Sequence, residues 1–193
     1  MKLHHVAFLL PALFITPVTV QAETITSTPA TAVTDSTLKN FYQVSPDIYR
    51  SAQPNAEQMS MLDKRGIKTI LNLRFFHDDR DEAGRASKLN LQHVPMEAGR
   101  VTDKEIVEAL KIIKDAPKPL LVHCWHGSDR TGVVVAMYRI IFQGWSKQDA
   151  IDELKQPKFG HHEFAYRNLP AYIEQADIEK IRQEIGLDSA KSH

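Results

Sequence analysis

The chain has 193 residues, 42% hydrophobic and 25% charged, with 24 lysines and arginines against 24 aspartates and glutamates. These values suit one globular domain with its own core. They exclude the basic stripe of a nucleic-acid binder and the like-charge runs of a solvating tail, and no internal repeat is present.

In chain order, the first 22 residues read as an export signal. Lys2, with His4 and His5, precedes a run from Val6 to Val20 that is apolar apart from Thr16 and Thr19. Val20-Gln21-Ala22 then puts small residues at the −3 and −1 positions of a cleavage site. The run is shorter than the roughly 20 apolar residues that span a bilayer, so a retained anchor is the weaker reading. Cleavage after Ala22 implies a periplasmic or secreted protein with no stable membrane insertion. Residues 23–37, rich in Thr, Ser and Ala, are expected to form a flexible linker. The folded domain is expected over 38–187, with a short tail at 188–193.

Asp47–Ser51 suggests a first strand, and Pro54 and Asn55 open a helix that Gly66 ends. Ile67–Leu73 reads as a strand, 75–80 as a polar loop, 81–89 as a helix and Leu91–Met96 as a strand. Thr102 and Glu105 make a capping box for a helix whose inner face holds Ile106, Leu110 and Ile113. Leu120-Leu121-Val122 has the unbroken apolar character of a central strand. A long helix follows over 131–143, stopped by Gly144, and a further one runs from Ser146 to about Leu154. Helices are also expected over 162–175 and 178–185. Strands alternate with helices and the last third is helical, which predicts an α/β domain: a central mixed sheet flanked by helices.

The chemistry concentrates in His123-Cys124-Trp125-His126-Gly127-Ser128-Asp129-Arg130-Thr131-Gly132. A buried strand ends before it, glycine lies within it, and a helix starts at its end. A strand, a tight loop and a helix N-terminus make an anion site, because free amides converge and the helix dipole adds positive potential. Cys124 is the chain's single cysteine, so it forms no internal disulfide. At the floor of such a loop it is favoured as a thiolate, a nucleophile. Arg130 stands six positions on, where a guanidinium can hold two phosphate oxygens at once. Thr131 is placed to offer its hydroxyl to the sulfur. Trp125, His126, Gly127, Ser128 and Asp129 would complete the phosphate cradle, with Asp129 also lowering its positive charge.

His-Cys-x5-Arg-Thr-Gly resembles the signature of the cysteine-dependent protein tyrosine and dual-specificity phosphatases. Tyr49-Arg50-Ser51-Ala52-Gln53-Pro54 and the stretch Tyr138–Trp145 are similar to its compact bacterial, periplasmic group. The resemblance implies a dual-specificity-phosphatase-like domain and hydrolysis of phosphomonoesters, most readily protein phosphotyrosine, through a phosphocysteine. It also implies no metal and no cofactor. Phosphorylated proteins or small phosphomonoesters would be the partners, and a monomer is expected. An inositol or lipid phosphate phosphatase would typically carry lysines in this loop, and a phosphate-binding pseudoenzyme remains the other alternative.

One part of the pattern is missing. The aspartate that protonates the leaving oxygen in the family aligns with Gly99. Glu97 and Asp103 are the nearest carboxylates and the two expected substitutes. A weak or displaced acid predicts a preference for aryl over alkyl phosphates. His123 is expected to brace the loop from the core. Arg74 reads as a surface residue, and His161, His162 and Glu163 as a helix start.

Overall fold

A computed structural model describes residues 28–85 and 87–187. The expected signal segment and the tail lie outside the described residues.

Six strands form one mixed sheet: β1 (Thr31–Ala32), β2 (Tyr42–Ser45), β3 (Ile48–Ser51), β4 (Thr69–Asn72), β5 (Asn90–His93) and β6 (Leu120–His123). Their order is β1-β2-β3-β6-β4-β5. β1 and β2 run antiparallel to their neighbours, while β3, β6, β4 and β5 are parallel. The helices are α1 (Ala56–Lys64), α2 (Arg80–Ala83), α3 (Asp103–Asp115), α4 (Asp129–Gln143), α5 (Lys147–Leu154), α6 (Asn168–Gln175) and α7 (Ile178–Glu184).

Side chains alternate across the sheet and so build two cores. Leu120 and Val122 of β6 join a large core with α3, α4, α5, α6 and α7 on one face. Leu121 joins Met59 and Leu62 of α1, with Ile67 and Ile70, in a smaller core on the other. All four residues of β6 are buried, which explains its unbroken apolar sequence.

The register positions the site. Ser51 of β3 and Asn72 of β4 both pair with His123, and Asn72 pairs with His93 of β5. The four parallel strands therefore finish level, and the loops after them emerge along one edge. In parallel sheets that edge is where ligands bind.

Several expectations need correction. The expected linker is anchored at points of its described part: Ala30 is buried, its amide donates to Glu153 Oε1 at 3.2 Å, and Thr31–Ala32 pairs with β2, while most of its other described residues are exposed. Strand β2 was not foreseen, because its four residues YQVS bury only Val44 and leave no run of apolar alternation to read. The helix expected over 81–89 is a single turn ended at Gly84, whose φ of 72° a helix does not admit. The strand expected over Leu91–Met96 is Asn90–His93. The helix expected from His162 begins only at Asn168, for a reason that belongs to the site below.

Candidate active site

β6 delivers the chain into the loop 124–128, and Ser128 precedes α4 as its N-terminal flanking residue. Three consecutive loop carbonyls are held from behind. Gln53 N donates to the Trp125 carbonyl at 3.1 Å, Asn40 Nδ2 to that of His126 at 3.1 Å, and Arg50 Nη2 to that of Gly127 at 2.7 Å. A trans peptide sends its N–H opposite its C=O. The amides of His126, Gly127 and Ser128 are thereby turned to the other side. None of the amides of residues 125–128 donates a hydrogen bond among the described residues. The site thus presents free donors above the start of a fifteen-residue helix, the arrangement an oxyanion requires.

Gly127 is required by both space and backbone. Its φ is 72°, and a Cβ there would lie 2.5 Å from the Ser51 backbone. Arg50 is wholly buried and its guanidinium lies 4.0 Å from the Phe159 ring centroid. Burial lowers its pKa to about 10, against the raising influence of Glu153 and Cys124.

A second set of bonds braces the strand end. His123 bonds Asp79 Oδ2 through Nε2 at 2.8 Å, with both side chains buried. Gln53 Nε2 donates to Asp79 Oδ1 at 2.8 Å, and Arg74 Nη1 to Gln53 Oε1 at 3.0 Å. Burial tends to raise the Asp79 pKa, but the hydrogen bonds from His123 and Gln53, with His123 charge, leave it lowered overall. Arg74 stacks 4.1 Å from the centroid of the exposed Trp125 ring. Its pKa is lowered by partial burial and by repulsion from Arg130. Arg74 is thus tied to Gln53 and to the loop residue Trp125, rather than the unattached surface residue expected from sequence.

A cavity of about 280 Å³ opens over the loop. Cys124, Trp125, His126, Asp129 and Arg130 of the loop and helix start line it, together with Ala98, His162, Ala165 and Tyr166. Cys124 is almost fully buried at its floor. Arg130 rests one Nη1 on the Met96 carbonyl at 3.4 Å.

The remaining expected site residues divide. Gly127 and Ser128 lie outside the cavity wall and contribute backbone. Thr131 is buried, but its hydroxyl has no hydrogen-bond partner among the described residues, so the expected bond to sulfur is not made. The structure brings neither expected acid to the cavity. Glu97 is half-exposed and pairs with Arg100 at 3.2 Å. Asp103, in the first turn of α3, accepts from Tyr172 Oη at 2.9 Å and faces Lys180 at 3.3 Å. Burial, together with that bond, pushes the Tyr172 pKa up.

Asp129, whose place in the loop suggests that it orients a side chain or water, holds two histidines. Its Oδ1 accepts from His161 Nδ1 at 2.8 Å and from the His162 amide at 3.0 Å, and its Oδ2 from His162 Nδ1 at 2.7 Å. These bonds tie residues 161 and 162 to the loop, and the amides of Ala165 and Tyr166 donate to the His162 carbonyl, closing a turn that precedes α6. Arg50, Asn40, Gln53, Asp79 and the two histidines were not assigned from sequence. Arg50 and Gln53 did stand in a quoted motif, and the histidines stood out as a cluster. Asp79, 44 residues from its partner, carried no local signal.

Comparison with known proteins agrees with this geometry. Residues 37–190 match the model of the tyrosine phosphatase family. The chain is 38% identical over 159 residues to the dual specificity protein phosphatase TpbA of Pseudomonas aeruginosa, covering 81% of this chain and 72% of that one. A crystal structure of a cysteine-to-serine form of TpbA in complex with pTyr superposes with a TM-score of 0.71 at 38% identity, over 81% of this chain and 94% of that one. The catalytic core of the Saccharomyces cerevisiae PP-IP phosphatase SIW14, in complex with citrate, gives a TM-score of 0.66 at 28% identity, over 76% and 90%. By fold, by loop and by relationship, this chain belongs to the tyrosine phosphatase family.

Proposed function

We propose that this enzyme hydrolyses phosphomonoesters, with protein phosphotyrosine as its principal substrate, through a phosphocysteine at Cys124. The observation that carries this reading is the set of three loop carbonyls tied back by Gln53, Asn40 and Arg50, above a buried Cys124 and beside Arg130. Thiolate attack on phosphorus would place negative charge on three equatorial oxygens. Loop amides and the Arg130 guanidinium are matched to that charge, and their preorganisation favours the transition state. Water then hydrolyses the thiophosphate. The pTyr complex of TpbA supports an aryl substrate.

Relatives named inositol diphosphatases share the fold at 28% identity. The segment 123–132 of this chain has no lysine and carries Asp129, which suits a singly phosphorylated ester better than a polyphosphate.

The signal pattern of residues 1–22 and the single cysteine support a periplasmic or secreted enzyme. The exported form would begin at Glu23, which N-terminal sequencing of protein from a periplasmic fraction would reveal.

The test of activity is hydrolysis of p-nitrophenyl phosphate and a phosphotyrosine peptide. Activity should be vanadate-sensitive and abolished in Cys124→Ser. Turnover that survives this substitution would overturn the reading, and faster release from an inositol polyphosphate than from the peptide would reassign the substrate.

A further inference from the structure

Phosphoryl transfer to Cys124 leaves an oxygen that needs a proton, and a positioned acid typically contributes about 10²–10⁴-fold. Glu97 and Asp103 are outside the cavity and engaged elsewhere. Asp129 lines it, but its oxygens already accept three hydrogen bonds.

The two histidines on that carboxylate differ in access. His161 has a side chain only 2% exposed and does not line the cavity. His162 is 47% exposed and lines the same cavity as Cys124 and Arg130. Its Nδ1 is committed to Asp129 Oδ2, which leaves Nε2 as the ring nitrogen open to a ligand. The ring is held further by His126, 5.2 Å away between centroids, and by the edge of Tyr166 at 6.3 Å. A carboxylate behind an imidazole sets its tautomer and stabilises the imidazolium. His126 lines the same cavity with no carboxylate bonded to its ring.

We propose that His162 is the proton donor of this enzyme and that Asp129 positions it, an inference that rests on the phosphocysteine reading above. In the first step the Cys124 Sγ–P bond forms and the bond from phosphorus to the ester oxygen breaks. The oxygen keeps the electron pair and takes the proton from His162 Nε2, leaving neutral imidazole with Nδ1–H still on Asp129. In the second step Nε2 accepts a proton from water as its oxygen bonds phosphorus. The S–P bond breaks, thiolate and imidazolium are restored, and phosphate leaves. Imidazolium is ordinarily a weaker acid than a carboxylic acid, so aryl esters remain the better substrates.

The experiment compares p-nitrophenyl phosphate, whose leaving group needs little protonation, with a phosphoserine peptide. His162→Gln should slow the peptide about 100-fold and the nitrophenyl ester less than about tenfold. Asp129→Asn should shift the ratio the same way, while His126→Gln should affect both substrates equally. Equal loss on both substrates in His162→Gln, no loss, or a substrate-selective loss in His126→Gln instead would each overturn the assignment. Cys124→Ser run in parallel separates the two claims. If it retains turnover, the phosphocysteine reading fails; if it is inactive, the ratio alone judges His162. His162 lies outside both cores, so its replacement should leave the global fold intact, and circular dichroism checks this.

Discussion

Arg50 donates from Nη2 to the carbonyl of Gly127 at 2.7 Å, across 77 residues of sequence. This bond converts a buried charge at the end of β3 into the orientation of a peptide in the catalytic loop. With Gln53 N and Asn40 Nδ2 on the two preceding carbonyls, it makes the loop's donors a property of the whole sheet edge.

Arg50→Met removes that bond and leaves the Gly127 carbonyl without its partner. We expect a loss of about 1–3 kcal/mol in stability and a fall of more than tenfold in kcat/KM, with weaker vanadate inhibition. Chemical denaturation and steady-state kinetics check the two effects separately. A stability loss with unchanged kinetics would show that the loop amides keep their orientation without Arg50.

Gly127→Ala and Gly99→Ala make a matched pair. At Gly127 the added Cβ meets the Ser51 backbone at 2.5 Å, whereas at Gly99 nothing lies within 4 Å. The first should abolish turnover and lower Tm, and the second should leave Tm within a few degrees of the parent. Thermal scans with a nitrophenyl phosphate assay settle it.

Gly99→Asp places a carboxylate next to Ala98, which lines the cavity, at the position where the sequence pattern leads one to expect the family's aspartate. It should raise phosphoserine-peptide turnover several-fold in the parent and by a larger factor in His162→Gln. No gain in either background would mean that this loop does not reach the leaving oxygen.

Asp79 governs an acid limb of stability. Its pKa is lower in the folded state than the ordinary 3.8. Its contribution is therefore present above that value and is lost as pH falls through the still lower folded-state pKa. Denaturation midpoints below pH 4 should fall more steeply in the parent than in Asp79→Asn. Parallel curves would remove Asp79 from the account.

Glu153 forms a buried ion pair with Arg139, at 2.7 Å and 2.9 Å, and also accepts from the Ala30 amide. Removing one partner of a buried pair strands the other charge, at a cost of about 3–5 kcal/mol. Glu153→Ala should unfold at correspondingly lower denaturant. It should also free the segment around β1 to proteolysis.

Local patterns carried much of the fold. The capping box Thr102/Glu105 forms as read, with Glu105 N on Thr102 Oγ1 and Thr102 N on Glu105 Oε2. β6 and the helices beyond it follow from apolar runs and glycine stops that act over a few residues. Elements that depend on distant partners were not legible. β1 and β2 are short and polar, and exist because β3 offers an edge. Residues 162–166 looked like a helix start because the competing bonds come from Asp129, more than thirty residues away.

The same division runs through the site. Sequence alone picked out the proposed nucleophile and guanidinium and the strand–loop–helix that joins them, since Cys124 and Arg130 lie within one loop and the first turn of one helix. It also showed that no aspartate stands at Gly99. Only the tertiary structure decided which donors orient the loop and which histidine lines the cavity that Cys124 also lines. Both depend on groups from separate strand ends, a turn and a helix, brought together because parallel strands finish level at one edge. A carboxylate in the phosphate loop then turned out to hold two histidines, and one of them faces the cavity that Cys124 floors.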